Sequence, residues 1–236
     1  MKKKSKKIFA KNSSWTFDKN VASNFDFHIE KSVPLYNEFK WLGEKLSDYY
    51  LKEDSIVYDI GCSTGSFLKR LAIRHNNKKK IKLYGIDIVK NMINFAKKNN
   101  KHKKITYQSK DILKYNFKKS DFFISFYTIQ FIHPKHRQLL INKIYKKLNW
   151  GGAFLFVEKV RSYDARTQDQ LTNIYEEFKI DNKFSLKEII NKKLSLKGVL
   201  EPFSTRANLQ MLKRAGFEDV STVAKFACFE FFLAIK

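Results

Sequence analysis

Short apolar runs alternate with segments of helical period along most of the chain. The runs are rich in Ile, Val, Phe and Tyr, which is typical of buried β-strands. We predict a first strand beginning at Ile56 and four further strands at residues 81–86, 105–108, 121–126 and 153–157. The segments between them place apolar residues three or four positions apart, as an amphipathic helix does. Alternating strands and helices predict an α/β fold with a mostly parallel sheet.

The alternation breaks after the fifth strand. Residues 161–201 predict helices that can lie over the ligand site as a substrate cover. Residues 209–215 predict a further helix, which Gly216 ends. Residues 217–224 and 226–235 then predict a closing pair of strands. We therefore expect a seven-stranded sheet with a helical insertion after strand five.

The amino-terminal segment predicts a tail followed by a helical cover. Residues 1–13 are rich in lysine and predict a flexible tail, which leaves residues 14–236 as a single domain. A Ser-Val-Pro-Leu-Tyr sequence predicts a helix that has Ser32 as its N-cap, Pro34 in its first turn and its end at Tyr50. The aromatic residues of this helix either cover a cofactor or pack against the sheet, and the pattern favours neither.

A glycine turn joins the first strand to the helix that follows it. Asp59 lies near the end of the strand, and Gly61 and Gly65 frame Cys62 and Ser63. Glycine permits a tight turn and lets the backbone approach a ligand without a Cβ in the way. A strand that turns through glycines into a helix indicates a nucleotide-binding α/β unit.

Three kinds of site are compatible with this turn. A dinucleotide site requires G-x-G-x-x-G, and the spacing of Gly61 and Gly65 differs from it. A nucleophile elbow, G-x-S-x-G, would make Ser63 the nucleophile and requires a histidine late in the chain, but the last histidine is His136. A loop for S-adenosylmethionine fits best, because that ligand has no pyrophosphate to hold.

Two later acids support an adenosyl ligand. Asp87 closes the second strand, where a carboxylate can accept hydrogen bonds from both ribose hydroxyls. Ile88 follows it and is expected to press on one face of the adenine. Asp111 lies just beyond the third strand, where it can accept the adenine amino group, and Ile112 is expected to close the other face.

The composition adds a strong positive charge. The formal net charge is +24, from 47 basic and 23 acidic residues, and most of the excess is scattered lysine. A basic surface can bind nucleic acid. Lysine is accompanied here by many Asn, Ile and Phe residues, an enrichment that an AT-rich genome would produce. We therefore favour compositional bias over direct tRNA binding, which stays open.

The remaining composition indicates a folded cytoplasmic protein. Hydrophobic residues make up 43% of the chain, yet no apolar run reaches the roughly 18 residues of a membrane span. The lysine-rich start lacks the apolar segment of a secretion signal. Cys62 and Cys228 are expected to be buried thiols, and no spacing of residues predicts a metal site.

Seven motifs point to one family. They are Trp-Thr-Phe-Asp at 15–18, Ser-Val-Pro-x-Tyr at 32–36, Tyr-Asp-Ile-Gly-Cys-Ser at 58–63, Thr-Ile-Gln-Phe at 128–131, Leu-Asn-x-Gly-Gly-Ala at 148–153, Glu-Lys at 158–159 and Lys-Arg-Ala-Gly-Phe at 213–217. The chain resembles a class I S-adenosylmethionine-dependent methyltransferase and, more narrowly, the carboxy-S-adenosyl-L-methionine synthase family. The resemblance implies a Rossmann-like class I methyltransferase fold, with a seven-stranded, mostly parallel sheet, an antiparallel C-terminal strand, an N-terminal helical cover and a helical insertion after strand five.

The resemblance also implies an activity. Members of this family are homodimers that convert S-adenosylmethionine and prephenate to carboxy-S-adenosylmethionine and phenylpyruvate. A partner enzyme then uses the product to modify the wobble uridine of tRNA. The positive sulfur acidifies the methyl group attached to it, so that this carbon can capture the carbon dioxide released from prephenate.

By position, the resemblance assigns the ligand-binding residues. Those implied to bind the cofactor are Tyr36, Gly61, Cys62, Ser63, Asp87, Ile88, Asp111 and Ile112. Lys193 stands where the family carries an arginine that binds the new carboxylate, and Phe126 stands where it carries an asparagine. Lysine offers a point charge to a carboxylate, whereas arginine offers a bidentate fork.

Two other functions remain open from the sequence. The chain could be an ordinary S-adenosylmethionine-dependent methyltransferase acting on a small acid or on RNA. Alternatively, it could be a non-catalytic subunit that binds S-adenosylmethionine and docks tRNA through its lysines. The catalytic base is not assigned by any motif.

Overall fold

A computed structural model of the protein describes residues 22–236. Seven strands form one sheet in the order β3-β2-β1-β4-β5-β7-β6. The strands are β1 Ile56–Ile60, β2 Lys82–Asp87, β3 Ile105–Ser109, β4 Ser120–Phe126, β5 Leu148–Lys159, β6 Asp219–Phe226 and β7 Phe229–Ile235. The predicted tail at 1–13 and the motif at 15–18 lie outside the described residues.

The strand directions confirm the predicted α/β class. The first five strands pair in parallel, and β7 is antiparallel to both of its neighbours, β5 and β6. The strand order reverses between β1 and β4, so the connections leaving these two strands diverge. A crevice opens at such a switch point, outside the carboxyl ends of the strands, and this is where open α/β sheets bind ligands.

Helices cover both faces of the sheet. They are α1 Phe25–Ser32, α2 Tyr36–Tyr50, α3 Ser66–Arg74, α4 Lys90–Asn99, α5 Pro134–Lys147, α6 Ala165–Asp181, α7 Leu186–Ser195 and α8 Thr205–Ala215, with a 3₁₀ turn at Ile129–Phe131. Successive strand residues point to opposite faces. Val57 accordingly joins the core under α2, α3 and α4, whereas Tyr58 joins the core under α5 and α8.

The prediction for the first helix was wrong in one respect. Ser32 is the last residue of α1 rather than the N-cap of the helix that runs to Tyr50. Val33 precedes a proline, which disfavours helical backbone, and it is extended with φ −123° and ψ 114°. Leu35 then takes a left-handed conformation with φ 54°, and α2 begins one residue later. Pro34 therefore separates two helices instead of opening one.

The insertion after strand five is helical, as predicted. Its helices α6 and α7 leave much apolar surface uncovered: Ile174 is 50% exposed and Ile190 is 55% exposed. The predicted helix after it ends at Gly216, where φ is 110°. Within residues 22–236, none of the helices combines the length and apolar character that a bilayer crossing requires.

Candidate functional site

One large cleft lies at the carboxyl ends of the central strands. Its volume is about 2100 Å³, and residues of α1, α2, α6 and α7 line it together with the loops after β1, β2, β3 and β4. The structure brings together nearly all of the predicted site residues around this cleft. They are Tyr36, Asp59, Gly61, Cys62, Ser63, Asp87, Ile88, Asp111, Ile112, Phe126 and Lys193, and Gly65 alone among the predicted residues is not part of the lining.

The loops after β1 and β4 meet at Gly61. Its φ is +75°, and a Cβ built there would lie 2.0 Å from Thr128 Oγ1. The N–H of Gly61 donates to the carbonyl of Ile86 at 2.7 Å, which ties the turn to the end of β2. Only glycine fits this position, because it meets both a left-handed backbone and a neighbouring loop.

Gly65 shapes the turn from behind. It is the N-cap of α3 with φ 75°, and its N–H donates to the carbonyl of Cys62 at 2.8 Å. A Cβ there would lie 2.5 Å from the Tyr107 hydroxyl. Gly65 thus holds the loop in place without lining the cleft. Ser63 does line the cleft, and its hydroxyl contacts Met92 Sδ at 3.7 Å.

Two carboxyl groups are buried under the turn. Asp87 accepts the N–H of Ser63 at 2.9 Å and the N–H of Val89 at 2.8 Å, one on each oxygen. Burial raises the pKa of Asp87, although these two hydrogen bonds act in the opposite direction. Burial also raises the pKa of Asp59 to about 7, with the nearby charge of Asp87 adding to the increase and Lys40 opposing it. This end of the cleft is therefore prepared to receive a cation or a donor of hydrogen bonds.

An apolar slot lies between the loops after β2 and β3. Ile88 is 70% exposed although it lies in the wall of the cleft, whereas Ile112 is 9% exposed. Asp111 Oδ1 accepts the N–H of Leu113 at 2.9 Å, which fixes the carboxylate at the edge of this slot. An exposed isoleucine and a carboxylate in the lining of the same cleft suit a flat, partly polar ring.

Aromatic rings and a buried lysine line the cleft beside the first helices. Tyr36 stacks on Tyr127 with ring centroids 6.0 Å apart, and Phe126 packs against Phe67 at 4.7 Å. Lys40 Nζ lies 4.2 Å from the Tyr36 ring centroid and donates to Ser66 Oγ at 2.8 Å. Phe126 thus offers the cleft a ring face in place of a polar side chain.

Asp26 fastens the first helix to the glycine turn. Its carboxylate accepts the hydroxyl of Thr64 at 3.0 Å and that of Ser66 at 3.2 Å. Because Asp26 lies on α1, these bonds hold the amino-terminal cover over the cleft. The sequence pattern had not singled out Asp26 or Lys40, since nothing in their spacing distinguishes them from ordinary surface residues.

The opposite wall of the cleft is positively charged. Lys159 at the end of β5, Lys179 on α6 and Lys192 on α7 all line it. Lys193 lies at its edge, where its side chain is 66% exposed and its Nζ is 3.2 Å from Glu176 Oε1. Sequence reasoning identified only Lys193, because the other lysines cannot be distinguished among the 47 basic residues of the chain.

The cysteines and the cleft histidines have other roles. Cys62 and Cys228 are buried free thiols, and burial raises the pKa of both, so they are neutral at physiological pH. His133 is the N-cap of α5, where Nδ1 accepts the N–H of Lys135 at 3.3 Å. His133 thus serves as a helix cap. Across residues 22–236, no group of three or more His, Cys, Asp and Glu residues is arranged to hold a metal ion.

The site as a whole can hold a ligand of mixed charge. Its carboxyl groups lie under the glycine turn, its lysines lie on the wall formed by β5, α6 and α7, and aromatic rings lie between them. A cofactor with a positive centre can therefore lie between the acidic wall and a second, anionic molecule.

Solved structures with a similar fold include methyltransferases. The human N-acetylserotonin methyltransferase, solved in complex with S-adenosylmethionine, matches 93% of this chain with a TM-score of 0.62 and 17% identity. An O-methyltransferase family protein from Burkholderia thailandensis also matches 93% with a TM-score of 0.66 and 16% identity. The matches span 56% and 60% of those longer chains. At these identities the likeness shows the fold, and it confirms the predicted class I methyltransferase architecture.

Sequence comparison narrows the assignment. A family model described as a methyltransferase domain matches residues 57–152. Proteins from Campylobacter lari and Sulfurimonas denitrificans named carboxy-S-adenosyl-L-methionine synthase are 35% and 36% identical, over 93% and 98% of this chain and 94% and 99% of their own lengths. The protein of that name from Staphylococcus epidermidis is 34% identical over 94% of this chain and 97% of its own. The chain therefore belongs to the carboxy-S-adenosyl-L-methionine synthase family.

Proposed function

We propose that this protein is a transferase that converts S-adenosylmethionine and prephenate to carboxy-S-adenosylmethionine and phenylpyruvate. The observation that carries the proposal is the pairing of unlike walls in one cleft: buried carboxyl groups on one side and a group of lysines on the other. Relatives matched over nearly their whole length carry the synthase name. A methyl transfer to a neutral acceptor would need only the first wall.

The first wall fits the adenosyl half of S-adenosylmethionine. The backbone at Gly61 leaves the space that a Cβ would otherwise fill, so a ligand can approach the turn closely. Asp87 keeps lone pairs for the ribose hydroxyls after accepting its two backbone hydrogen bonds. Ile88 and Ile112 offer apolar surface for the adenine, and Asp111 lies at the edge where the adenine amino group would come.

Further residues would hold the methionine half. Asp59 lies in the wall near the glycine turn, and it favours a cationic group because its own charge is poorly compensated. Tyr36 and Phe126 line the same space, where they would pack against the methionine side chain. These contacts would orient the methyl group away from the glycine turn and towards the lysine wall.

The proposed reaction balances without an added oxidant or reductant. Prephenate loses carbon dioxide and its ring hydroxyl and becomes the aromatic phenylpyruvate. The methyl carbon of S-adenosylmethionine, acidified by the positive sulfur, loses one proton and forms a carbon–carbon bond to that carbon dioxide. The proton and the departing hydroxide leave as water. The protein residues contribute orientation and charge stabilisation, with Lys193 as the proposed partner of the new carboxylate.

The biological setting follows from the same family membership. We propose that the product serves a second enzyme that modifies the wobble uridine of tRNA in the cytoplasm. We also propose a homodimer, because the exposed apolar residues of α6 and α7 form a surface that a second copy would cover. They are Ile174, Ile180, Leu186, Ile190 and Leu194. Sedimentation analysis of the purified protein is expected to give twice the mass of 28.0 kDa.

Mass spectrometry of the purified protein tests the proposed reaction. The protein incubated with S-adenosylmethionine and prephenate is expected to yield a nucleoside heavier than S-adenosylmethionine by one carbon dioxide, and phenylpyruvate in equal amount. S-adenosylmethionine recovered unchanged, with prephenate not consumed, would contradict the proposal. Incubation without prephenate is the control.

One observation favours a second candidate, an ordinary methyltransferase for a small acid. Lys193 already pairs with Glu176 at the edge of the cleft, so its charge is partly compensated. A carboxylate acceptor could then bind to the remaining lysines while the methyl group is transferred unchanged. Formation of S-adenosylhomocysteine together with a methylated acid would identify this activity.

A further inference from the structure

Two lysines lie over one tyrosine on the far wall of the cleft, and a third lysine is close enough to repel them. The ammonium of Lys159 lies 4.5 Å from the ring centroid of Tyr175, and that of Lys179 lies 4.3 Å from the same centroid. The Nζ of Lys192 lies 2.8 Å from Nε2 of His28. Strand β5 and helices α6 and α7 thus each contribute one ammonium group to one compartment.

The charges in this compartment are out of balance. Among the described residues, no carboxylate lies within ion-pair distance of Lys159 or Lys179. Glu176, an acid beside this compartment, pairs with Lys193 at the cleft edge. Like charges that are held together and shielded from water repel strongly. The protein tolerates this repulsion, which indicates that an anion relieves it in the working state.

The protonation of the lysines reflects the same repulsion. Burial and the neighbouring lysines lower the pKa of Lys179 and of Lys192 to about 8 each. Burial likewise lowers the pKa of Lys159. The charged and titratable groups that face the three lysines from the surrounding elements are His28, Arg161, Glu176, Glu188, Lys193 and Cys228. Two acids against so many basic groups leave the compartment cationic at neutral pH.

The walls between the lysines are aromatic. Tyr175 packs edge-on against Phe229 at 5.2 Å, and Tyr127 packs edge-on against the same ring at 5.9 Å. The hydroxyl of Tyr175 donates to the carbonyl of Ser32 at 2.8 Å, which fixes the ring against the end of α1. Aromatic side chains therefore surround the ammonium groups, and this setting favours an anion with a carbon skeleton over a strongly hydrated inorganic anion.

We propose that Lys159, Lys179 and Lys192 form the binding site for the carboxylate groups of the second substrate, an organic dianion built on a six-membered ring. The proposal rests on the proposed function for the identity of that dianion, prephenate. Its site would be distinct from the position of Lys193, which faces Glu176 at the edge. The three lysines lie within the cleft and are only partly exposed, which favours a small anion over a nucleic acid backbone.

Calorimetric titration of prephenate into the protein saturated with S-adenosylhomocysteine tests this site. S-adenosylhomocysteine lacks the methyl group, so no turnover occurs during the titration. Lys179→Gln and Lys192→Gln are each expected to weaken prephenate binding about 10- to 100-fold, the loss of one charged hydrogen bond. Lys187→Gln is the matched control on α7, because Lys187 is exposed and does not line the cleft. All three variants should bind S-adenosylhomocysteine like the original protein.

Proton uptake separates a binding role from a structural one. Above pH 8 a bound carboxylate should raise the pKa of the lysines, so prephenate binding should take up protons. Titration at pH 8.5 in buffers of different ionisation enthalpy measures this uptake, which Lys179→Gln should reduce. Lys179→Gln should not lower the melting temperature without ligand, because it removes a repelled charge. If Lys192→Gln fails to fold, the titration of Lys179→Gln alone decides whether the lysines bind prephenate, because Lys179 is the less buried of the two.

Failure of this inference and failure of the proposed function give different results. Unchanged prephenate affinity in both variants, or no prephenate binding by the original protein, overturns the inference whatever the turnover. Inorganic phosphate that competes as well as prephenate does overturns it too, because a ring-shaped dianion is then not selected. Prephenate binding that depends on the lysines, without formation of carboxy-S-adenosylmethionine, supports the inference and contradicts the proposed function.

Discussion

The two walls of the cleft differ in how they are built. The acidic wall consists of loops that directly follow strands, and its carboxylates are held by backbone N–H groups, as Asp87 is by Ser63 and Val89. The cationic wall consists of single lysines from one strand and two helices that are far apart in sequence. Its members Lys159 and Lys179 meet only because both lie over the Tyr175 ring.

The acidic wall therefore depends on the position of the backbone, whereas the cationic wall depends on the charges of single side chains. On the acidic wall, a change of backbone displaces several contacts at once, because one loop carries both Gly61 and Ser63, whose N–H binds Asp87. On the cationic wall, a change of one side chain removes one charge and leaves the others in place. We therefore expect large, shared effects on the first wall and smaller, ligand-specific effects on the second.

The largest effect is expected at Gly61. Gly61→Ala adds a Cβ at φ +75° and 2.0 Å from Thr128 Oγ1, so unfolding free energy should fall by about 3 kcal/mol and S-adenosylmethionine binding should be lost. Gly151→Ala is the matched control, because Gly151 has φ +73° with nothing within 4 Å. That control should lose only about 1 kcal/mol. Urea unfolding measures both, and equal losses would show that Thr128 moves aside freely.

The next effect is expected at Asp87. Asp87→Asn should weaken S-adenosylmethionine binding by about 1.5 to 3 kcal/mol, because charged hydrogen bonds to the ribose become neutral ones. Asp121→Asn is the control: Asp121 also accepts a backbone N–H, from Ile56 at 2.9 Å, but it does not line the cleft. Calorimetric titration measures both affinities. An unchanged affinity of the Asp87 variant would reject its assignment to the ribose.

A smaller effect should follow the ionisation of Asp59. Its pKa is about 7, well above the value of about 3.9 for the unfolded chain. The stability that the neutral carboxyl contributes is therefore present below the unfolded value and is lost as pH rises through 7. A cationic ligand favours the ionised form, so binding releases a proton in this window. S-adenosylmethionine affinity should then rise with pH, by at most about tenfold per unit, and level off above pH 7.

The variant Asp59→Asn isolates this carboxyl from Asp87. Its neutral amide cannot ionise, so the slope of affinity against pH between 5 and 7 should largely disappear. Titrations across that range measure the slope in the original protein and in the variant. A slope that persists unchanged in the variant would assign the ionisation to another group.

The smallest effect is expected at Lys193. Lys193→Ala should weaken carboxy-S-adenosylmethionine by about 1 kcal/mol and leave S-adenosylmethionine unchanged, because only the former carries the added anionic group. Folding stability should change by less than about 1 kcal/mol, since the ion pair with Glu176 is exposed. Lys187→Ala is the control on the same helix. Equal losses for both ligands would remove Lys193 from this role.

Much of the fold could be predicted from local pattern. The apolar runs predicted each of the strands β1 to β5 within a few residues, because strands buried on both faces carry continuous apolar sequence. Gly216 predicted the end of α8 because a left-handed residue there needs no Cβ. The error at Ser32 arose from two rules in conflict, since proline both opens helices and forces the residue before it out of them.

The acidic wall of the candidate site could also be predicted from the sequence. Asp59, Asp87 and Asp111 each lie next to a predicted strand end, and parallel strands bring their carboxyl ends to one edge of the sheet. The three acids are far apart in the chain, but each adjoins a strand end, so the parallel sheet brings them together. Lys179 and Lys192 had no such signal, because they lie on two different helices in a chain with many other lysines. Lys159 does follow the predicted fifth strand, within the Glu-Lys motif, but its position in the sequence assigned it no ligand.

The sequence alone thus determined the α/β class, the glycine turn and the carboxyl groups at the edge of the sheet. Each of these depends either on interactions between residues close together in the chain or on strand ends that a parallel sheet must align. Packing alone decided which lysines lost their water and came together. Whether an ammonium group is an ordinary surface charge or part of a repelling cluster depends on its distance from other charges and on its burial. Both quantities arise only when β5, α6 and α7 pack around Tyr175.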